Sequence, residues 1–204
     1  MDNSVKFDVK SICDGHHNVS YRGVRYIRCP FDYIMYQMII NEVKPDLIIE
    51  VGTNAGGGAL YMADIMNNVG HGEIHTIDIV NMVDNELVKN HPRIKRFLGG
   101  YQSYDLKLAE GFETVLVIDD GSHTYDDVIS ALNKFKDIPS VNSYFIVEDG
   151  IIDELGYPDY NGGPLRAIGE FLEGNSDYVI DRRWCDFFGK NATFNVNGYL
   201  KKIK

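Results

Sequence analysis

The stretch DLIIEVGTNAGGGALYMADIMNNVG, residues 46–70, decides the fold. Its apolar beginning, 46–52, closes with a glycine-rich turn, which predicts a buried parallel strand. The residues after the turn have the pattern of a helix that ends near Gly70. A strand, a tight turn and a helix in this order begin a β-α-β unit, in which ligands bind at the N-terminus of the helix.

The same alternation continues to about residue 150. A helix is predicted at 31–43, between Pro30 and Pro45, and another in TYDDVISALNKFKDI. Four further strands are predicted in the segments GEIHTIDIV, RIKRFLGG, TVLVID and SYFIVEDG. The segment between Gly100 and Gly111 has room only for a loop and one helical turn. Five alternating strands predict a doubly wound parallel sheet.

The pattern changes after Ile151. LRAIGEFLE is predicted to be a helix, and DYVIDRRW and ATFNVNGYLKKI a closing strand pair with its turn around 189–191. The fold class is therefore α/β: a Rossmann-like, doubly wound, mostly parallel sheet with a C-terminal antiparallel hairpin. Such a hairpin is typical of S-adenosylmethionine-dependent methyltransferases and unusual in dinucleotide-binding domains. We predict one such domain at 30–204 after a short N-terminal extension at 1–29.

Charge and composition indicate which classes of partner the protein can have. The chain has 204 residues, a formal charge of -10 and no long Lys/Arg run, which disfavours nucleic acid and anionic membranes as partners. Cys13, Cys29 and Cys185 have neither disulfide nor zinc spacing, which fits a reducing compartment. The first residues lack an apolar signal segment, and no run reaches the length of a membrane span. We expect a cytoplasmic protein with a small or neutral substrate.

Acidic residues end the first two predicted strands, and the first of them begins a glycine-rich turn. The turn EVGTNAGGG lets backbone amides approach a ligand, but it lacks the G-x-G-x-x-G pattern. Glu50 is badly placed for a pyrophosphate and suits a cationic group, such as the amino acid end of S-adenosylmethionine. Asp78, at the end of the second strand, can accept hydrogen bonds from a ribose diol. A structural turn and a helix cap are the alternatives; together the features favour an adenosine-containing cofactor.

A second acidic group follows the fourth and fifth strands. Asp119 and Asp120 end one strand, and Glu148 and Asp149 end the next. Because neighbouring parallel strands lie about 4.8 Å apart, these carboxylates gather at one sheet edge. They recruit a hard divalent cation, magnesium before manganese or calcium, unless they are helix caps or surface groups.

His123 lies three residues after Asp120, where a helix is predicted to begin. An imidazole exchanges protons near neutral pH and can act as a general base, although a histidine at a helix start is often a capping residue. Asp126 and Asp127 lie in the first helical turn, where the helix dipole stabilises carboxylates.

Four segments carry a family resemblance: CPFDYIMYQMIINEVKPDLIIEVGTNAGGGALYMAD, VLVIDDGSHTYDDV, YFIVEDG and the C-terminal GGPLRAIGEFL to NGYLKKI. In the same order they resemble the cephalosporin hydroxylase family, which is similar to rhamnosyl O-methyltransferases and macrolide sugar O-methyltransferases. The likeness runs from about Tyr21 onward. It implies an O-methyltransferase that uses S-adenosyl-L-methionine and Mg²⁺ as cofactors.

The resemblance also implies roles for single residues. His123 is the implied catalytic residue, and the implied metal ligands are Asp120, Glu148 and Asp149. The implied cofactor contacts are Glu50, Gly52, Thr53, Asn54, Gly57, Asp78 and, on the cofactor side, Asp119. We hypothesise that a hydroxyl of a sugar or glycosylated natural product binds the metal and loses its proton to His123. The loop at 156–164 is the candidate lid over this acceptor.

Three rival functions remain open. A nicotinamide-dependent oxidoreductase shares the fold class but needs another glycine pattern. An iron- and 2-oxoglutarate-dependent hydroxylase needs two histidines and a carboxylate, whereas one histidine lies in this cluster. A non-catalytic binding protein would keep the pocket without turnover. The resemblance leaves the adenine contacts around 100–103 and the acceptor unassigned, and a homo-oligomer is one option for the assembly.

Overall fold

A computed structural model describes residues 3–5 and 8–204; Met1, Asp2, Lys6 and Phe7 of the predicted extension lie outside the described residues. Its main sheet has seven strands in the order β5-β4-β3-β6-β7-β9-β8. The strands are β1 Ser20–Tyr21, β2 Val24–Arg25, β3 Leu47–Val51, β4 Glu73–Asp78, β5 Ile94–Leu98, β6 Val115–Asp119, β7 Tyr144–Val147, β8 Tyr178–Ile180 and β9 Tyr199–Lys202. The helices are α1 Val9–His16, α2 Pro30–Val43, α3 Gly57–Val69, α4 Glu86–Lys89, α5 Gly100–Ser103, α6 Tyr125–Phe135, α7 Gly163–Gly174 and α8 Arg182–Cys185.

The chain order of the strands reverses between β3 and β6. From β3 the chain continues through β4 to β5 on one side, and β6 and β7 lie on the other. All four neighbouring pairs from β5 to β7 are parallel, with Val51 of β3 opposite Asp119 of β6. A reversal of this kind opens a crevice at the carboxyl ends of the two central strands, where ligands bind. The predicted doubly wound sheet is confirmed.

Both faces of the sheet are covered, as the continuous apolar strands predict. Ile48 of β3 packs with Met35 and Ile39 of α2, in the core on one face. The neighbouring Leu47 packs with Leu132 of α6, in the core on the other face. All five residues of β3 are buried. This buried centre holds the strand ends that carry the acidic residues.

The C-terminal strands are antiparallel, as predicted. The strand β9 pairs antiparallel with both β7 and β8. The prediction of a strand through 192–198 is wrong, because β9 begins at Tyr199. Asp32 binds the backbone N–H of Phe194 and the hydroxyl of Thr193, so these groups find side-chain partners instead of a neighbouring strand. The connection from β8 also contains α8, so the pair is not a tight hairpin.

The segment between 100 and 111 is as short as predicted, but it holds two single-turn helices rather than one. These are α5 and a 3-10 helix at Leu106–Ala109. Among the described residues, no helix is both long enough and apolar enough to span a bilayer.

The N-terminal segment packs on the first crossover helix. The strands β1 and β2 form a small antiparallel pair, and Tyr21 donates a hydrogen bond to Asp64 of α3. A Cβ on Gly57, at the start of α3, would lie 2.2 Å from the carbonyl oxygen of Arg25. The glycine is therefore needed for the close approach of this segment, which brings 25–28 to the edge of the crevice.

Candidate active site

The turn after β3 is built by glycine and by one carboxylate. Gly52 has a φ of +98°, and a Cβ there would lie 1.9 Å from the backbone oxygen of Asp120. Asp78 Oδ2 accepts hydrogen bonds from the N–H groups of Thr53 and Asn54, at 3.0 and 2.9 Å. Asp78 therefore supports the turn, and it also lines the cavity described below.

Glu50 is a buried carboxyl group below this turn, 2 % exposed. Thr76 donates a hydrogen bond to its Oε2 at 2.6 Å. Burial raises the pKa of Glu50 to about 7, against the opposing effects of this hydrogen bond and of Arg28. A Cβ on Gly58 would lie 2.6 Å from Glu50 Oε1, so the glycine leaves room for this carboxyl group.

Asp119 ends β6 as a second buried carboxyl group, 5 % exposed. Burial raises its pKa to about 7, although a hydrogen bond from the backbone of Gly121 acts in the opposite direction. Its Oδ2 atom is buried without a hydrogen-bond partner among the described residues. Since buried polar atoms are normally paired, this oxygen is a candidate ligand contact.

Asp120, His123 and Asp149 come together in the crevice. One ligand atom of each lies within 4.8 Å of the others. Nε2 of His123 is 3.7 Å from Asp120 Oδ1 and 3.4 Å from Asp149 Oδ2. Two of them have a left-handed backbone conformation, which is uncommon in residues other than glycine: the φ angles of His123 and Asp149 are 58° and 56°. Two carboxylates and an imidazole can hold a divalent cation, and the carboxylate oxygens suit Mg²⁺.

Asp149 is held from behind by the irregular segment before β9. Its N–H donates to Asn195 Oδ1 at 3.2 Å, and the N–H of Ile151 donates to the carbonyl of Phe194 at 2.9 Å. A Cβ on Gly150 would lie 2.6 Å from the carbonyl oxygen of Val196. The C-terminal segment therefore positions a residue of the cluster.

Glu148 is a neighbouring buried carboxyl group that Arg28 joins to Asp120. Arg28 Nη1 contacts its Oε1, and the Tyr36 hydroxyl donates to the same oxygen at 2.6 Å. Burial raises the pKa of Glu148 to about 7, opposed by Arg28. Arg28 Nη2 also donates to Asp120 Oδ2 at 3.1 Å, and burial together with Glu148 raises the pKa of Asp120. Of the predicted metal ligands, Asp120 and Asp149 lie in the group with His123. Glu148 is joined to Asp120 through Arg28, and its role as a metal ligand stays a prediction.

One cavity of about 560 Å³ contains most of the predicted site. Volumes of this size are usual for small-molecule sites. Every predicted cofactor residue lines it: Glu50, Gly52, Thr53, Asn54, Gly57, Asp78 and Asp119. Asp120, His123 and Asp149 also line it, whereas Glu148 does not. Met82, Tyr101 and Gln102 also line it, so the short segment after β5 contributes to the pocket.

Arg28 and Tyr36 were not predicted as residues of the site. Arg28 belongs to the predicted N-terminal extension, yet it is 2 % exposed and contacts two carboxylates of the cluster. An arginine next to the apolar run CPFDYIMY is the one available signal, because a charged residue there needs a buried partner. The identity of that partner depends on the fold alone.

Sequence comparisons relate the chain to known O-methyltransferases. The family described as Rhamnosyl O-methyltransferase/CmcI matches residues 14–203. The rhamnosyl O-methyltransferase of Mycobacterium tuberculosis (strain H37Rv) is 28% identical over 195 residues, which cover 89% of this chain and 77% of that protein. The protein of the same description from Mycobacterium leprae is 26% identical, covering 90% of this chain and 83% of its own length.

Solved structures share the fold at lower identity. A cmcI structure with SAH has a TM-score of 0.70 at 17% identity and covers 100% of this chain and 96% of its own. A cmcI structure with Mg and SAM has a TM-score of 0.68 at 18% identity, covering 100% and 88%. The O-methyltransferase TomG from Streptomyces achromogenes, in complex with SAM, has a TM-score of 0.59 at 14% identity, covering 98% and 92%. The fold is that of class I methyltransferases, and the chain belongs to the Rhamnosyl O-methyltransferase/CmcI family.

Proposed function

We propose that this protein is an S-adenosylmethionine- and Mg²⁺-dependent O-methyltransferase that acts on a hydroxyl group of a sugar or a glycosylated natural product. The observation that carries the proposal is the placement of Asp120, His123 and Asp149 within 4.8 Å of one another. They line the same cavity as Glu50, Asp78 and the glycine turn. Family membership and the rhamnosyl O-methyltransferase relatives support it.

The cofactor fits the polar groups of the cavity. Glu50 is a buried carboxyl group that gains an ionic partner when the ammonium group of S-adenosylmethionine binds. Asp78 uses both carboxyl oxygens to hold backbone N–H groups and still faces the cavity, where a ribose diol can donate to it. The unpaired Oδ2 of Asp119 is a further acceptor. Glu50 disfavours a dinucleotide pyrophosphate, the group that a nicotinamide-dependent oxidoreductase would have to bind at this turn.

Asp120 and Asp149 are the proposed holders of Mg²⁺, with Glu148 beside them and His123 within reach as a ligand or a base. A divalent cation lowers the pKa of an oxygen that binds it, which favours ionisation of a hydroxyl group at neutral pH. The chain contributes the carboxylates, their fixed orientation and partial exclusion of water. The side chains of Asp120 and Asp149 are only 23% and 28% exposed.

His123 is the proposed proton acceptor. Its Nε2 takes the proton of the acceptor hydroxyl as the oxygen attacks the sulfonium methyl group. A carbon–oxygen bond forms, the carbon–sulfur bond breaks, and the products are a methyl ether and S-adenosylhomocysteine. Holding the oxygen and the methyl group in line supplies a large part of the rate.

The loop at 156–164 is the proposed acceptor lid. It contains a 3-10 helix at Pro158–Tyr160 and ends where α7 begins. A Cβ on Gly163 would lie 3.3 Å from the carbonyl oxygen of His123, so the end of the loop contacts the residue proposed to take the proton. The Tyr157 side chain is 49% exposed, which leaves an aromatic surface for a sugar ring.

Calorimetry with S-adenosylmethionine and with NAD separates this proposal from the oxidoreductase. We expect binding of S-adenosylmethionine and S-adenosylhomocysteine and no binding of NAD. The matched variant Asp78→Asn should weaken S-adenosylmethionine binding. NAD binding in preference to S-adenosylmethionine would refute the proposal, and cofactor binding without methyl transfer to any hydroxylated acceptor would favour a non-catalytic role.

A further inference from the structure

Arg28 is a buried cation between two members of the acidic cluster. Its side chain is 1% exposed, and its terminal nitrogens contact two different carboxylates. Nη1 contacts Glu148 Oε1, and Nη2 donates to Asp120 Oδ2 at 3.1 Å. These contacts join the N-terminal segment to the ends of β6 and β7.

Two aromatic rings fix the position of this guanidinium group. Its central carbon lies 4.9 Å from the centroid of the Tyr26 ring and 4.4 Å from that of Tyr36. A guanidinium group can face rings and bind carboxylates with a planar fork at the same time, which an ammonium group cannot. The buried charge is stabilised because both terminal nitrogens have ionic partners.

The guanidinium group of Arg28 occupies some of the carboxylate oxygens at this edge and leaves others available. Oε1 of Glu148 is occupied by Arg28 and by the Tyr36 hydroxyl. Oδ2 of Asp120 faces Arg28, whereas its Oδ1 is the oxygen near His123. Within the described part of the chain, the group of side chains that could hold a metal ion is Asp120, His123 and Asp149. Arg28 therefore supplies a permanent positive charge to Glu148 and Asp120. The candidate cation position lies on the other side of Asp120, towards His123 and Asp149.

We propose that Arg28 is a positioning residue that makes this edge a site for one divalent cation. Its fixed charge takes the place of a second cation between Glu148 and Asp120, and its fork turns Oδ1 of Asp120 towards His123 and Asp149. The inference rests on the proposed metal site. It gives the N-terminal segment a role in the metal site, since Arg28 precedes β3, whereas Asp120, His123, Glu148 and Asp149 all follow it.

The test is titration with Mn²⁺, followed by calorimetry and by the electron paramagnetic resonance spectrum of the ion, on the full chain without acceptor. We expect wild type to bind one Mn²⁺. In Arg28→Met the two carboxylates lose their cation, and we expect two Mn²⁺ per chain. In the conservative Arg28→Lys, the charge stays but the fork is lost, and we expect one Mn²⁺ bound about tenfold more weakly.

The outcomes separate the two proposals. A folded Arg28→Met protein that binds one Mn²⁺ with wild-type affinity and spectrum would overturn the role of Arg28 and leave the metal site intact. If Arg28→Met does not fold, unchanged affinity and spectrum in Arg28→Lys would overturn it. A wild-type protein that binds no Mn²⁺ would refute the metal site itself.

Discussion

Nε2 of His123 lies 3.4 Å from Oδ2 of Asp149, although the residues belong to the loops after two different strands. Both have left-handed backbone conformations, with φ of 58° and 56°. Such conformations in residues other than glycine cost about 1–3 kcal/mol and are concentrated at functional sites. The surrounding contacts, including the bond from Asp149 N–H to Asn195, maintain this conformation.

Replacing His123 should separate catalysis from folding. Asparagine tolerates a left-handed conformation, so His123→Asn removes the base without adding backbone strain. We expect the rate of methyl transfer to fall about 100- to 10,000-fold. S-adenosylmethionine affinity and the free energy of unfolding should stay near wild-type values. Wild-type kcat in this variant would exclude His123 as the proton acceptor.

Gly52 should be intolerant of any side chain. In Gly52→Ala, the φ of +98° and a Cβ 1.9 Å from the Asp120 backbone oxygen both oppose folding. We expect a loss of about 2–5 kcal/mol in urea unfolding, the sum of backbone strain and overpacking.

Gly70→Ala is the matched control for this effect. Gly70 has a similar φ of +100°, with nothing within 4 Å of a Cβ. It should show the strain alone, about 1–2 kcal/mol. Equal losses in the two variants would mean that the contact with Asp120 contributes nothing.

The buried carboxyl group of Glu50 should make stability depend on pH. Its pKa is raised from 4.5 to about 7, so the folded protein holds this proton more tightly than the unfolded chain. The contribution of Glu50 to the free energy of unfolding is therefore fully present below about pH 4.5 and is lost as the pH rises through about 7. Glu50→Gln does not titrate, so its unfolding free energy relative to wild type should rise by about 2–3 kcal/mol across this window. A constant difference between the two proteins would contradict the shift.

Asp32 should stabilise the C-terminal segment that supports Asp149. It accepts hydrogen bonds from the Thr193 hydroxyl, from the Phe194 N–H at 2.9 Å and from the Tyr199 hydroxyl at 2.8 Å. Asp32→Ala leaves these buried donors unpaired and should cost more than about 3 kcal/mol, whereas Tyr199→Phe removes one bond and should cost about 1 kcal/mol. Equal costs, measured by urea unfolding, would mean that Asp32 does not organise this segment.

The carboxyl ends of the strands could be predicted from sequence because each buried apolar run has acidic residues in its last two positions or in the two positions after it. Glu50, Asp78, Asp119 and Asp149 therefore appear at one edge, as the alternation predicts. The Glu148 side chain could not be placed in this way, since its orientation depends on Arg28, a residue 120 positions away. The alternation in 192–198 resembles a strand, but Thr193 and Asn195 are buried polar residues with specific partners.

The most direct test of the account is transfer of a tritium-labelled methyl group from S-adenosylmethionine to rhamnosyl glycosides. Wild type is assayed with Mg²⁺, after chelation and after Mg²⁺ is restored, beside Asp149→Asn and His123→Asn. We expect transfer with Mg²⁺, loss on chelation, recovery on restoration and strong loss in both variants. Transfer that continues undiminished in chelator and in both variants would contradict the central claim that Asp120, His123 and Asp149 form a metal-dependent methyl-transfer site.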